Sequence, residues 1–133
     1  MGMVFVYGPL KTGGYNSPLM VGSEFIGRAH MCRKYLMVSL GPFPALLYNH
    51  DAEAPASGEV YKVSRKTLKR LDRLEGHPYY YRRKRVWVNL GGGKKVHCWV
   101  YFYNQPIHPQ TVKEKAVRSG HWPCTPARVS CSM

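Results

Sequence analysis

The chain has 133 residues, with 20 Lys+Arg against 7 Asp+Glu, a formal charge of +13 and a pI near 9.9. One domain over residues 1–133 is expected, since two cores from this length would each be insecure; 44% hydrophobic residues can bury a core, and 13% aromatic residues argue against disorder. No apolar run reaches the roughly 20 residues of a membrane span, and the N-terminus lacks the charged-then-apolar layout of a leader, so a cytoplasmic protein without membrane partners is expected.

Met3-Val4-Phe5-Val6-Tyr7 is an apolar, β-branched and aromatic run that reads as a buried strand. It stops at Gly8-Pro9 and passes into a Gly/Pro-rich loop over Lys11 to Pro18. Glu24 to Val38 is rich in β-formers and reads as strand, turn, strand, interrupted by Gly41-Pro42-Phe43-Pro44. Ala52 to Ser57 reads as a linker, and Gly58 to Val63 as the next strand.

Ser64 is a good helix N-cap. Leu68, Leu71 and Leu74 form an apolar stripe, with Lys69, Arg70 and Arg73 facing outwards. Gly76 and Pro78 end this helix. Tyr79 to Leu90 and Lys95 to Tyr103 are β-rich runs joined by Gly91-Gly92-Gly93-Lys94, a hairpin signal because glycine accepts the positive φ such turns require. After Asn104 an irregular tail begins, with at most a helical turn or two around Thr111 to Val117. About six strands and one good helix describe a small antiparallel-rich barrel or sheet with a helix packed on it.

Cys32, Cys98, Cys124 and Cys131 form no CxxC pair, and the histidines are scattered, so free thiols and no metal site are expected. The charge points first to a polyanionic partner. Ten of the 20 basic residues fall between Lys62 and Arg85. Alternation along a strand sends Arg82-Arg83-Lys84-Arg85 to both faces, with at least one pair directed inwards or into a cleft. Tyr79, Tyr80, Tyr81 and Trp87 could stack on bases, although no nucleic-acid signature accompanies them.

Two places can carry chemistry. At Tyr7-Gly8-Pro9-Leu10 a strand ends in a turn whose backbone N–H groups can form an anion site. Glu75 lies one residue past the last Leu of the stripe, where burial would raise its pKa towards that of a useful base. The nearby cations act in the opposite direction, and a solvated carboxylate paired with arginine is the alternative. His77 reads as a turn residue.

Val4-Phe5-Val6-Tyr7-Gly8-x-Leu10-Lys11, Leu71-Asp72-x-Leu74-Glu75-Gly76-x-Pro78, Tyr81-x-Arg83 and Val100-Tyr101 occur in that order. The series resembles the gamma-glutamylcyclotransferase-like superfamily, in the branch of gamma-glutamylamine cyclotransferase and the plant avirulence-induced proteins. The resemblance covers roughly residues 3 to 103, and Ser119-Gly120-His121-Trp122 is similar to the Ser-Gly-Asp-Trp ending of bacterial members. It implies an α+β fold, a small mixed, mostly antiparallel β-barrel with flanking helices, and no cofactor. It further implies that Tyr7, Gly8, Pro9 and Leu10 bind the glutamyl carboxylate, that Glu75 is the general acid/base, and that Arg83 is structural. The implied reaction releases 5-oxoproline from a small γ-glutamyl amine or peptide.

Pro9 departs from the family's Ser or Thr and removes both a hydroxyl and an N–H from the loop. A related lyase that removes a γ-glutamyl protecting group would differ only in its leaving amine. The rival reading is a non-catalytic module on the same fold, presenting its basic face to nucleic acid or an acidic protein.

Overall fold

The computed structural model describes residues 2–8, 10–11 and 17–123; Pro9, the loop residues 12–16, and Cys124 and Cys131 lie outside them. Among the described residues there are seven strands: β1 (Gly2–Val6), β2 (Glu24–Met31), β3 (Tyr35–Ser39), β4 (Pro44–Asp51), β5 (Ser57–Val63), β6 (Tyr81–Gly91) and β7 (Lys94–Tyr103). Two α-helices accompany them, α1 (Arg65–Glu75) between β5 and β6 and α2 (Pro109–Lys115) after β7. Five strands close a barrel in the order β1-β5-β2-β6-β7, and β3 with β4 makes a separate two-stranded sheet. The pairings are antiparallel except where β1 meets β7, with Val4 opposite Trp99. The expected mixed, mostly antiparallel barrel with flanking helices is what forms.

Alternation divides the apolar side chains into two clusters. Phe5, Met31, Val60, Val88, Val100 and Phe102 belong to one. Val4, Val6, Val63, Leu71, Tyr81 and Tyr101 belong to the other, which packs between the strands and α1. Strand β1 contributes to both clusters, so the residues that follow it emerge where the two cores meet.

Helix α1 is set by local chemistry. The Ser64 side chain accepts from the Thr67 N–H at 3.1 Å, and Gly76 ends the helix at φ 65° with its N–H donating to the Arg73 carbonyl. Leu71 is fully buried, while Lys69, Arg70 and Arg73 are exposed as expected. The β6–β7 hairpin turns through Gly92 and Gly93 at φ 58° and 78°.

Strand β4 was not expected. Its run Pro44-Ala45-Leu46-Leu47 is buried throughout and so lacks alternation, and it opens on a proline that reads as a break. Pro44 is the first residue of the strand, a position where a missing N–H is tolerated. Helix α2 starts earlier than Thr111 because Pro109 occupies its first turn and His108 Nδ1 accepts from the Gln110 N–H. Beyond it, the Val117 N–H donates to the Met37 carbonyl, and Trp122 is buried in the first cluster. Among the described residues no helix is long and apolar enough to cross a membrane.

Candidate active site

The end of β1 and the end of α1 open onto one cleft. Phe5, Tyr7, Gly8 and Leu10 line it from the barrel, Phe43 and Pro44 from the start of β4, and Glu75, Tyr81 and Tyr101 complete it. The cleft is narrow, with a cavity volume of about 30 Å³. Tyr7, Gly8, Leu10 and Glu75 are therefore brought together from positions more than sixty residues apart, and Pro9 lies outside the described residues. Gly8 is packed against the Pro44 ring, which a Cβ would approach to 3.0 Å.

Glu75 has no hydrogen bond or ion pair to another described residue, and its surroundings are aromatic and aliphatic. Burial pushes its carboxyl up to about 7. The sequence left open whether the neighbouring cations would offset burial, and the geometry shows why they do not. Arg83 turns to Asp72, with Nε–Oδ1 at 2.8 Å and Nη2–Oδ2 at 3.2 Å, and its guanidinium stacks over Trp99 at 4.3 Å. The Tyr101 hydroxyl donates to the same Asp72 Oδ1 at 2.7 Å, and the Arg83 N–H donates to His77 Nδ1 at 3.2 Å. Burial raises the Asp72 pKa, but Arg83, Tyr101 and His77 together hold it below the usual value.

Three phenols border the Glu75 carboxylate. The Tyr7 hydroxyl donates to the Tyr101 carbonyl at 2.6 Å, and the Tyr81 hydroxyl to the Pro44 carbonyl at 3.0 Å. Burial raises the pKa of all three, aided at Tyr7 and Tyr81 by the charge of Glu75 and at Tyr101 chiefly by its hydrogen bond to Asp72. None of the three competes with Glu75 as a base near neutral pH. Tyr81, Tyr101, Phe43 and Pro44 were not expected in a site. The first two stand in the quoted Tyr-x-Arg and Val-Tyr motifs, a signal that identified the family without saying where the rings point.

Lys11 is buried and its ammonium donates to the Trp122 carbonyl, tying the loop after β1 to the C-terminal segment. Ser57 Oγ and His121 Nδ1 lie 3.1 Å apart, so His121 and Trp122 attach the C-terminal segment to β5 and to Lys11. Among the described residues no three His, Cys, Asp or Glu side chains cluster to hold a metal ion. Cys32 and Cys98 are free thiols. Of the aromatics that could stack on bases, Tyr79, Tyr80 and Trp87 are exposed, whereas Tyr81 is a wall of the cleft. Arg82 and Lys84 line a separate groove with Tyr48, the pair that alternation directs into a cleft.

The architecture has solved counterparts. The AIG2-like protein of Mus musculus superposes with a TM-score of 0.73 at 29% identity, over 84% of this chain and 82% of that one. A candidate gamma-glutamylcyclotransferase of Methanocaldococcus jannaschii is 46% identical over 105 residues, 77% of this chain and 85% of the relative. The gamma-glutamylaminecyclotransferase of Bos taurus is 38% identical over 106 residues, 74% of this chain and 63% of the relative. Residues 4–124 match the family described as gamma-glutamyl cyclotransferase, AIG2-like, and the chain belongs to it as an enzyme of the gamma-glutamylcyclotransferase type.

Proposed function

We propose that the enzyme converts a γ-glutamyl amine or γ-glutamyl peptide to 5-oxoproline and the free amine, with Glu75 as its acid/base. The observation that carries this reading is a buried carboxyl, pushed up to about 7, in the same apolar cleft as Tyr7, Gly8 and Leu10. The substrate supplies its own nucleophile, so the protein's main task is to fold it into an attacking conformation. The α-carboxylate lies against the turn that follows β1, and the rings of the cleft confine the glutamyl chain. Ionised Glu75 takes a proton from the α-ammonium, and the amine nitrogen attacks the γ-carbonyl carbon. The bond from that carbon to the departing nitrogen then breaks as Glu75 returns its proton to the leaving amine, and the second proton on the attacking nitrogen passes to Glu75 and on to solvent, leaving the lactam N–H and an ionised Glu75.

Glu75→Gln keeps the shape and removes the base. With γ-glutamyl-ethylamide as substrate, 5-oxoproline release should fall by about two to four orders of magnitude. A comparable rate in the variant overturns the role of Glu75. No release by the wild-type enzyme from any γ-glutamyl amide overturns the reading and favours the non-catalytic module.

A further inference from the structure

A second groove meets the cleft at Glu75. Leu40, Phe43, Leu74, Tyr80 and Tyr103 form its walls, Arg73 stands at its edge, and it shares Phe43, Glu75 and Tyr81 with the cleft. Its cavity volume is about 410 Å³. Tyr103 meets Tyr81 edge-on at 5.4 Å, and the exposed Tyr80 ring lies over Gly76. Glu75 is thus the common wall of two chambers. One holds the loop after β1, and the other is floored by aromatic and aliphatic side chains.

Resting on the cyclotransferase reading, we propose that this second groove is the subsite for the departing amine and that it takes an apolar or aromatic one. When the glutamyl end lies against the Tyr7–Leu10 loop, its γ-carbonyl reaches Glu75, and the substituent on the departing nitrogen continues past Glu75 into the groove. That nitrogen gains the proton Glu75 carries as the carbon–nitrogen bond breaks, so the amine leaves neutral, and the walls that receive its substituent are aromatic and aliphatic. Glu75 is the one acid among the lining residues, and Arg73 repels a second positive charge at the edge. An amine bearing a distal ammonium is disfavoured on both counts.

The test compares kcat/KM for the γ-glutamyl amides of 2-phenylethylamine, ethylamine and 1,4-diaminobutane. The phenylethyl compound should exceed the ethyl by about tenfold or more, and the aminobutyl compound should fall below both. Leu40→Ala and Tyr80→Ala, made separately, should each cut the phenylethyl-to-ethyl ratio by at least about threefold. Equal rates for phenylethyl and ethyl, or a ratio that survives both substitutions, overturns this subsite while leaving the cyclotransferase reading intact. Turnover of none of the three overturns that reading and the subsite with it.

Discussion

Asp72 and Glu75 stand three residues apart on one helix, and burial acts on both carboxyls in the same direction. Their outcomes differ because Arg83 and Tyr101 converge on Asp72 and no described residue does so on Glu75. Asp72 is thereby a brace that fixes Tyr101, and Glu75 stays close to the midpoint of its titration at neutral pH. Stability follows with a definite sign. Between pH 4.5 and about 7 the folded protein holds a proton on Glu75 that the unfolded chain releases, so stability from this group falls as pH rises through that window. Glu75→Gln should then be more stable than wild type above pH 7, by roughly 1–3 kcal/mol, with the gain disappearing below pH 4.5. Urea unfolding of both proteins at the two ends of the window checks this; an equal difference at both ends contradicts the burial of Glu75.

At the scale of elements, the end of α1 sets where Glu75 points. Gly76 adopts φ 65°, and a Cβ there would come within 2.6 Å of the Tyr80 ring. Gly76→Ala should destabilise by about 1–2 kcal/mol from backbone conformation alone, with the ring displacement adding to it. Thermal unfolding reads the first effect, and loss of 5-oxoproline release beyond the loss of folded protein reads the movement of Glu75. Cap chemistry of this kind is local, which is why Ser64, Gly76 and the Gly92-Gly93 turn were legible in the sequence. Strand β4 was hidden because Ala45, Leu46 and Leu47 are buried on both faces, and period-two alternation marks only half-buried strands. The neighbours of Glu75 were hidden for another reason. Tyr101 reaches the cleft because β7 meets β1 in parallel, and Tyr81 follows through the pairing of β6 with β7; the first of these spans most of the chain and no local signal announces it. The association of Glu75 with the Tyr7 loop was legible through the order of the family's motifs, not through any periodicity.

For the whole molecule the charge is +13, yet among the described residues no Lys or Arg lines the cleft. Lys69, Arg70 and Arg73 are exposed on α1, Arg83 is bound to Asp72, Arg82 and Lys84 line another groove, and Arg85 sits over Trp99. A strongly basic protein thus keeps an apolar pocket in which a carboxyl titrates near neutrality. The central claim is that this carboxyl is the working base, and the pH profile of 5-oxoproline release tests it most directly. With γ-glutamyl-ethylamide, kcat/KM should rise along an acid limb with its midpoint near 7, and the residual activity of Glu75→Gln should lack that limb. A midpoint at the ordinary glutamate value of 4.5, or the same limb in Glu75→Gln, would contradict it.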